Sequence, residues 1–553
     1  VAEVNPVRAA AVPASVELGA PRHDVSRYVF GVNWARGSDL AELAPGGNRW
    51  GGNRATKYNW KDDIDSAGSD WFFLNDYGAE PGTPETEKAY YRFIKATRDA
   101  KVPVNFTIPI TPFIAKKHPT KGQRYCSYPT TLYPKQEKTD GQGCGNGRTP
   151  DGKPIWGNDP NLGMTKNSPE LQKAFVENVV KLFGTAAKGG VEFYTLDNEP
   201  GLWMQTHRDT MPKGVSAEEL VRANLEYAAA VKAADPTAKV IGFAAWGVKE
   251  LAGSNQDFFK AGAPDAYKLP EDASLQEVKK HGGQPQLVYF LNEAKKSEAA
   301  AGKRLIDVID VHWYHELWAK NSLGRSERVL ADVPYDPVFT PVQFEALREW
   351  WDPTFVPKAG IESWTFNADP QKDILWRPYH PVIPALTKLL ETNYPGTKLA
   401  INEYDNGSPE RFHGALLRAA ALGIFARENL YMAQNWHQTG RDKFTFFAQK
   451  LYGNYDGRGA KFAGKYVPAT SSNQDLYAFG AKNGATTTVV FVNRNKTTPI
   501  DATLRLERAA TKVRTFTLAE SLGLRLLERE GKANGKSVAV SVPPFSALLV
   551  EVR

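Results

Sequence analysis

The chain has 553 residues, 42% of them hydrophobic and 24% charged, with a formal net charge of +7. That length exceeds one ordinary core and suits two domains of a globular protein. The basic residues are dispersed and no apolar run approaches the ~20 residues that span a bilayer, so neither nucleic acid nor membrane is expected as a partner.

Short apolar runs recur with helical segments between them, the rhythm of parallel α/β structure. The expected strands are 28–34, 48–52, 102–110, 191–196, 239–245, 305–314, 398–402 and 430–436. Eight strands in this order predict an α/β fold, a (β/α)8 TIM barrel over residues 27–451. Ser168-Pro169-Glu170 predicts a helix start before Leu171, and Ser216-Ala217-Glu218-Glu219 fits a capping box before Leu220. The Pro-, Gly- and Lys-rich stretch 111–167 reads as one long loop over the active face, and the charged stretch 252–303 as a second insertion. After Tyr452 the runs shorten and alternate, with turn residues between them. Residues 452–553, joined by 1–26 through a strand at Ser15-Val16-Glu17-Leu18, therefore read as a smaller antiparallel β-sandwich domain.

The two cysteines, Cys126 and Cys144, flank a Pro- and Gly-rich segment. A disulfide there would suit an exported protein; two buried thiols are the plainer reading. The chain starts at Val1, which removal of an export signal and a simple boundary explain equally well. The 14 Trp and 22 Tyr residues include enough flat amphipathic rings to serve as sugar-stacking platforms.

Two strings carry the chemistry. Leu196-Asp197-Asn198-Glu199-Pro200 and Ala400-Ile401-Asn402-Glu403-Tyr404 each put an Asn-Glu pair at the end of a predicted buried strand. In a barrel the C-terminal strand ends converge, so Glu199 and Glu403 face each other across one cleft. Alone, Asn-Glu-Pro is an ordinary turn; paired with a second Asn-Glu, it predicts glycosidic bond cleavage by two carboxylates. Other strings do not hold up. His207-Arg208-Asp209 lacks the rest of a kinase signature, the glycines of 141–147 lack dinucleotide spacing, and His312 and His315 suit no zinc signature.

Arg49-Trp50-Gly51-Gly52-Asn53, Tyr58-Asn59-Trp60 and Gly68-Ser69-Asp70-Trp71-Phe72-Phe73 resemble the N-terminal signature of glycoside hydrolase family 44. Cys144-Gly145-Asn146-Gly147, Asp197-Asn198-Glu199-Pro200, Asp310-Val311-His312-Trp313-Tyr314 and the run from Tyr394 to Tyr404 are similar to later blocks of that family, in its order. The resemblance implies a secreted, retaining endo-β-1,4-glucanase, often also active on xyloglucan and sometimes on mannan or xylan. It also implies a barrel with a sandwich built from both chain ends, with Glu199 as acid/base and Glu403 as nucleophile. The family usually has a proline after the Trp-Tyr of the histidine block, where this chain has His315-Glu316, so a cleft-wall loop differs.

Around the two glutamates, Asn198 is placed to bind a sugar 2-hydroxyl, and Arg49 and Tyr314 to hold the charge of Glu403. Trp34, Trp50, Trp313 and Trp436, at predicted strand ends, are the expected platforms, with Asn53 beside them and Trp203 and Trp364 as weaker candidates on loops. The expected partner is a β-1,4-linked polysaccharide bound by a secreted monomer. This chemistry requires no cofactor; a structural calcium is left open, though no contiguous Asp-rich loop marks its place. A xyloglucan or mannan preference, a transglycosylase and a non-catalytic sugar-binding protein are the competing readings.

Overall fold

The computed structural model describes residues 10–79, 83–258, 275–358, 360–363, 377–436 and 440–553. Eight parallel strands close into a barrel, each beside the next in chain order: β1 (Tyr28–Asn33), β2 (Asn48–Trp50), β3 (Val104–Ile108), β4 (Phe193–Leu196), β5 (Lys239–Ala245), β6 (Val308–Val311), β7 (Lys398–Tyr404) and β8 (Met432–Asn435). All eight expected strands are present. Most are buried throughout, because barrel and helix layers cover both faces.

The main helices are α1 (Gly37–Leu43), α2 (Ala89–Asp99), α3 (Pro169–Phe183), α4 (Ala217–Ala234), α5 (Gln286–Ala301), α6 (Val382–Asn393), α7 (Phe412–Arg427) and α8 (Phe444–Gly453). The Ser168 side chain accepts from Leu171 N–H at the start of α3, and Ser216 and Glu219 form the reciprocal capping box of α4. The stretch 252–303 is not simply an insertion. It contains α5, whose Leu287, Phe290, Leu291 and Ala294 are buried in the barrel core while its charged residues face out.

The 111–167 loop is tied down internally. Phe113–Ala115 pairs with Met164–Lys166, and Cys126 and Cys144 form a disulfide. Arg208, in the string with a kinase-like look, lies 4.5 Å over the Phe73 ring and donates to the carbonyls of Asn146 and Gly147. It thereby fastens this loop to the segment that follows Glu199.

Both chain ends build the second β unit. Its main strands are β9 (Leu476–Asn483), β10 (Thr486–Asn493), β11 (Ile500–Ala519), β12 (Leu527–Val542) and β13 (Ser546–Val552), joined by an N-terminal strand, Val12–Leu18. Pairing is antiparallel except between Val12–Leu18 and β11, which run parallel. Register shifts between Arg505 and Lys512 break the long β11 into two halves. One half pairs with the N-terminal strand and the other with β13. Val16, Leu504, Phe491, Leu548 and Val550 form the core of this unit. The other face, with Phe479, Val490 and Leu549, joins the barrel core. That packing accounts for α7, which is buried on every side from Phe412 to Ala426. A Cβ on Gly423 would lie 2.2 Å from the Phe479 ring, so only glycine allows this approach. Among the described residues no helix is long and apolar enough to cross a membrane.

One buried ion pair closes the junction between the two units. Arg514 Nη2 stands 2.6 Å from Glu551 Oε2, with the side chains 7% and 1% exposed, and Tyr455, just after α8, donates to the same oxygen at 2.7 Å. Arg514→Ala would leave Glu551 buried with the Tyr455 hydroxyl and, as countercharge, the exposed Arg553. We expect it to destabilise the chain by about 3 kcal/mol in urea unfolding; a loss below about 1 kcal/mol would show that the pair is dispensable.

Candidate active site

Residues of one strand alternate in direction, and at the barrel's C-terminal rim this decides which side chains meet. Along β6 and its exit, Asp310, His312 and Tyr314 share one parity, and Ile309, Val311 and Trp313 the other. The first set meets the glutamates. Tyr314 donates its hydroxyl to Glu403 Oε2 at 3.0 Å, and His312 Nδ1 lies 2.8 Å from Glu199 Oε1 and 3.5 Å from Glu403 Oε2. From β2, Arg49 reaches Glu403 Oε1 with Nη1 at 2.6 Å and Asn198 Oδ1 with Nη2 at 2.9 Å. Asn198 donates in turn to Asn53 Oδ1 at 3.1 Å. One carboxyl oxygen of Glu199, one of Glu403 and a ring nitrogen of His312 all fall within 4.8 Å of one another.

Thus the structure brings Glu199, Glu403, Asn198, Arg49, Asn53 and Tyr314 together in one constellation. His312 belongs to it as well, although sequence spacing gave reason only to reject it as a metal ligand. The shared parity with Asp310 and Tyr314 was the available signal.

Two expected platforms belong elsewhere. Trp313 is buried on the opposite strand face, where its indole N–H donates to Glu349 at 3.3 Å. His315 also pairs with Glu349, at 2.5 Å, so the departure from the family pattern forms a buried pair behind the cleft wall. Trp50 is stacked on Phe106 at 5.2 Å and buried, because Arg49 takes the inward position of the short β2. Trp34 leans on it at 4.4 Å and is 42% exposed. Trp436 lies over Gly52, whose φ of +86° and lack of a Cβ allow the contact. Trp203 is buried and donates to the Asn198 carbonyl at 3.0 Å, supporting the loop rather than lining it. Trp364 lies outside the described residues.

Strained backbone aims Glu199. Asp197 and Glu199 have φ of +65° and +46°, and opposite them Phe243 and Ala244 have +73° and +41°. This distortion of β5 turns the Ala244 carbonyl to accept Glu199 N–H at 3.0 Å. The Asp197 carboxylate clamps the turn by accepting from Thr56 Oγ1, Ile110 N–H and Asn198 N–H. Burial nonetheless pushes its pKa up to about 6. Glu250, also buried, accepts from Gly201 N–H at 2.7 Å and Trp246 N–H at 3.0 Å, tying the loop after Glu199 to the end of β5.

The electrostatics separate the two glutamates. Burial, helped by the Glu403 charge, holds Glu199 above the ordinary carboxyl value, against the hydrogen bond and charge of His312. Burial disfavours the His312 cation, yet the charges of Glu403 and Asp310 and its bond to Glu199 raise it to about 10. A metal ion would have to use Glu199, His312 and Glu403, the one such group among the described residues. With Arg49 against Glu403 and His312 protonated, that donor set is poorly suited to a cation.

Ala244→Val would force a β-branched residue into a left-handed conformation. We expect it to cost about 2 kcal/mol more than Ala245→Val, an equally buried neighbour without positive φ. Equal thermal stability of the two variants would refute the backbone explanation.

Residues 64–317 match the profile of Glycoside hydrolase family 44. The chain is 28% identical to Beta-mannanase/endoglucanase A of Caldicellulosiruptor saccharolyticus over 95% of its own length, spanning 37% of that protein. It is 28% identical to Endoglucanase A of Paenibacillus lautus over its whole length, spanning 74% of that protein. Among solved structures, CelM2, a bifunctional glucanase-xylanase from a metagenome library, superposes with a TM-score of 0.86 at 28% identity, covering 98% of this chain and 99% of that one. A family 44 xyloglucanase of Paenibacillus polymyxa, at 24% identity and a TM-score of 0.74 over 98% and 100%, shares the fold. Strand ends that bring two Asn-Glu pairs together thus sit in a chain that is similar to Glycoside hydrolase family 44 over residues 64–317 and shares the fold of solved enzymes of that family.

Proposed function

We propose that this chain is a retaining, endo-acting hydrolase of β-1,4-glucans, with Glu199 as acid/base and Glu403 as nucleophile. The observation that carries the reading is the approach of the two carboxyl groups, with an oxygen of each inside 4.8 Å. Retaining enzymes hold theirs at about 5–5.5 Å, whereas inverting enzymes leave about 6.5–9.5 Å for a water. The names of the curated relatives and of CelM2 favour a glucan backbone.

In the first step Glu403, its charge held by Arg49 and Tyr314, attacks the anomeric carbon while Glu199 gives its proton to the departing oxygen. In the second, ionised Glu199 takes a proton from water as the water displaces Glu403. One negative charge therefore passes from Glu403 to Glu199 and back. His312 stands between them, able to stabilise the charge at either end. Asn198 is placed for the 2-hydroxyl of the attacked sugar. Residues 27–451 would form the catalytic unit and 1–26 with 452–553 the sandwich. The disulfide suits a secreted enzyme.

Reducing-sugar release from carboxymethylcellulose and from xyloglucan, with wild type beside Glu403→Gln, tests the reading. Wild-type release that falls at least 10³-fold in the variant is expected, and the better substrate ranks linear against branched glucan. No wild-type release from either polymer would refute it. Glu199→Ala should lose about 10²–10⁴-fold on poor leaving groups and far less on activated aryl glycosides; equal losses would remove Glu199 from the acid role.

The alkaline limb of the pH profile should reflect loss of the Glu199 proton. Protonated His312 lowers the pKa of Glu199, so its removal lets that pKa rise. His312→Asn should thus move the alkaline limb of kcat/KM to higher pH while lowering kcat, and a shift to lower pH would contradict this account.

A further inference from the structure

Trp71 is the most exposed tryptophan among the described residues, at 57%. Its position is built rather than incidental. Phe72 and Phe73 follow it with φ of +52° and +49°, a conformation bulky residues rarely adopt. The reversal drives Phe73 into the interior, fully buried against Tyr128, and leaves the Trp71 indole outside, edge-on to Phe72 at 5.1 Å.

The residue before Trp71 connects this corner to the site. Both Asp70 carboxylate oxygens accept from Asn53 Nδ2, at 3.2 and 3.0 Å, and Asn53 accepts from Asn198. Asp70 is exposed, yet partial desolvation and, to a lesser degree, the charge of Glu403 hold its pKa above the ordinary carboxyl value. A strip of amide, carboxylate and indole therefore leads outward from Asn198. It has a direction. Glu199, which serves the leaving group, faces β6 through His312, whereas Asn198, Asn53 and Asp70 extend toward the β2 side, where Arg49 holds Glu403.

We propose that Asn53, Asp70 and Trp71 form a glycone-side subsite for a β-linked hexopyranose beyond the one attacked. The amide and carboxylate take its hydroxyls, and the indole face lies under its ring. This rests on the assignment of Glu403 as nucleophile, and it extends the site beyond the residues that surround the cleaved bond.

The test compares kcat/KM on aryl β-cellobioside, cellotrioside and cellotetraoside. In Trp71→Ala the tetraoside-to-bioside ratio should fall about tenfold, and Trp71→Phe should restore most of it. An unchanged ratio, whether from no loss or from an equal loss on all three, overturns the subsite. A second arm does not depend on turnover: calorimetry of cellohexaose with Glu403→Gln, alone and combined with Trp71→Ala. Affinity about tenfold weaker in the double variant supports the subsite; equal affinity, or no binding to either, overturns it. A wild type inactive on all three glycosides would instead count against the hydrolase reading, and the calorimetric arm would still decide the subsite.

Discussion

Taking a carboxylate out of water costs several kcal/mol unless charges and donors replace the lost hydration. Glu403 is 6% exposed and Glu199 13%, so the two acids on which the site turns can exist only within a complete polar shell. Arg49 comes from β2, His312 and Tyr314 from the exit of β6, Asn198 from the end of β4 and Glu403 itself from β7. No pair of neighbouring strands supplies that shell; closure of the barrel does. The network continues outward, since Asn33 of β1 accepts from Arg49 and donates to carbonyls of β7 and β8. Asp310 likewise accepts from Asn402 N–H, next to Glu403. The site and the upper rim of the barrel thus hold each other in place.

A second cost lies in the backbone. Four non-glycine residues at the ends of β4 and β5 sit at positive φ, and they are linked by the hydrogen bond from Glu199 N–H to Ala244. Such strain persists only where the surroundings over-determine it. Here Asp197 clamps one side of the turn, and Glu250 holds the other by binding Gly201 and Trp246. Gly201 has no freedom to change, because a Cβ there would stand 2.7 Å from both the Glu250 carboxyl and the Trp246 indole. The result is an acid whose carboxyl is buried and raised while its main chain stays anchored.

The β-sandwich contributes through packing. It covers α7, the helix that follows β7, so that this helix can be apolar all round. The helix lies in the interior because both chain ends fold back over it. At the junction, the Arg514–Glu551–Tyr455 group allows charge to be buried between the two units.

Barrel strands, helix caps and the paired Asn-Glu strings were all legible in the chain, because each is a local pattern: apolar runs of strand length, a serine with its glutamate partner, a carboxylate where a run ends. Strand parity also separates His312 from Trp313, although the spacing of His312 and His315 fits no metal signature. Trp50 could not be placed by such reasoning, since its neighbours Phe93 and Phe106 arrive from other elements. Nor could α5 be separated from the charged stretch around it, because its amphipathic face matters only against a barrel already formed. By itself the sequence determined the eightfold rhythm and the identity of the two glutamates. Only the tertiary structure decided their separation, the cation that stands between them and the outward turn of Trp71. Those depend on contacts between elements far apart in the chain, around the buried carboxylates and at the Phe73–Tyr128 packing, and no local pattern records the outcome.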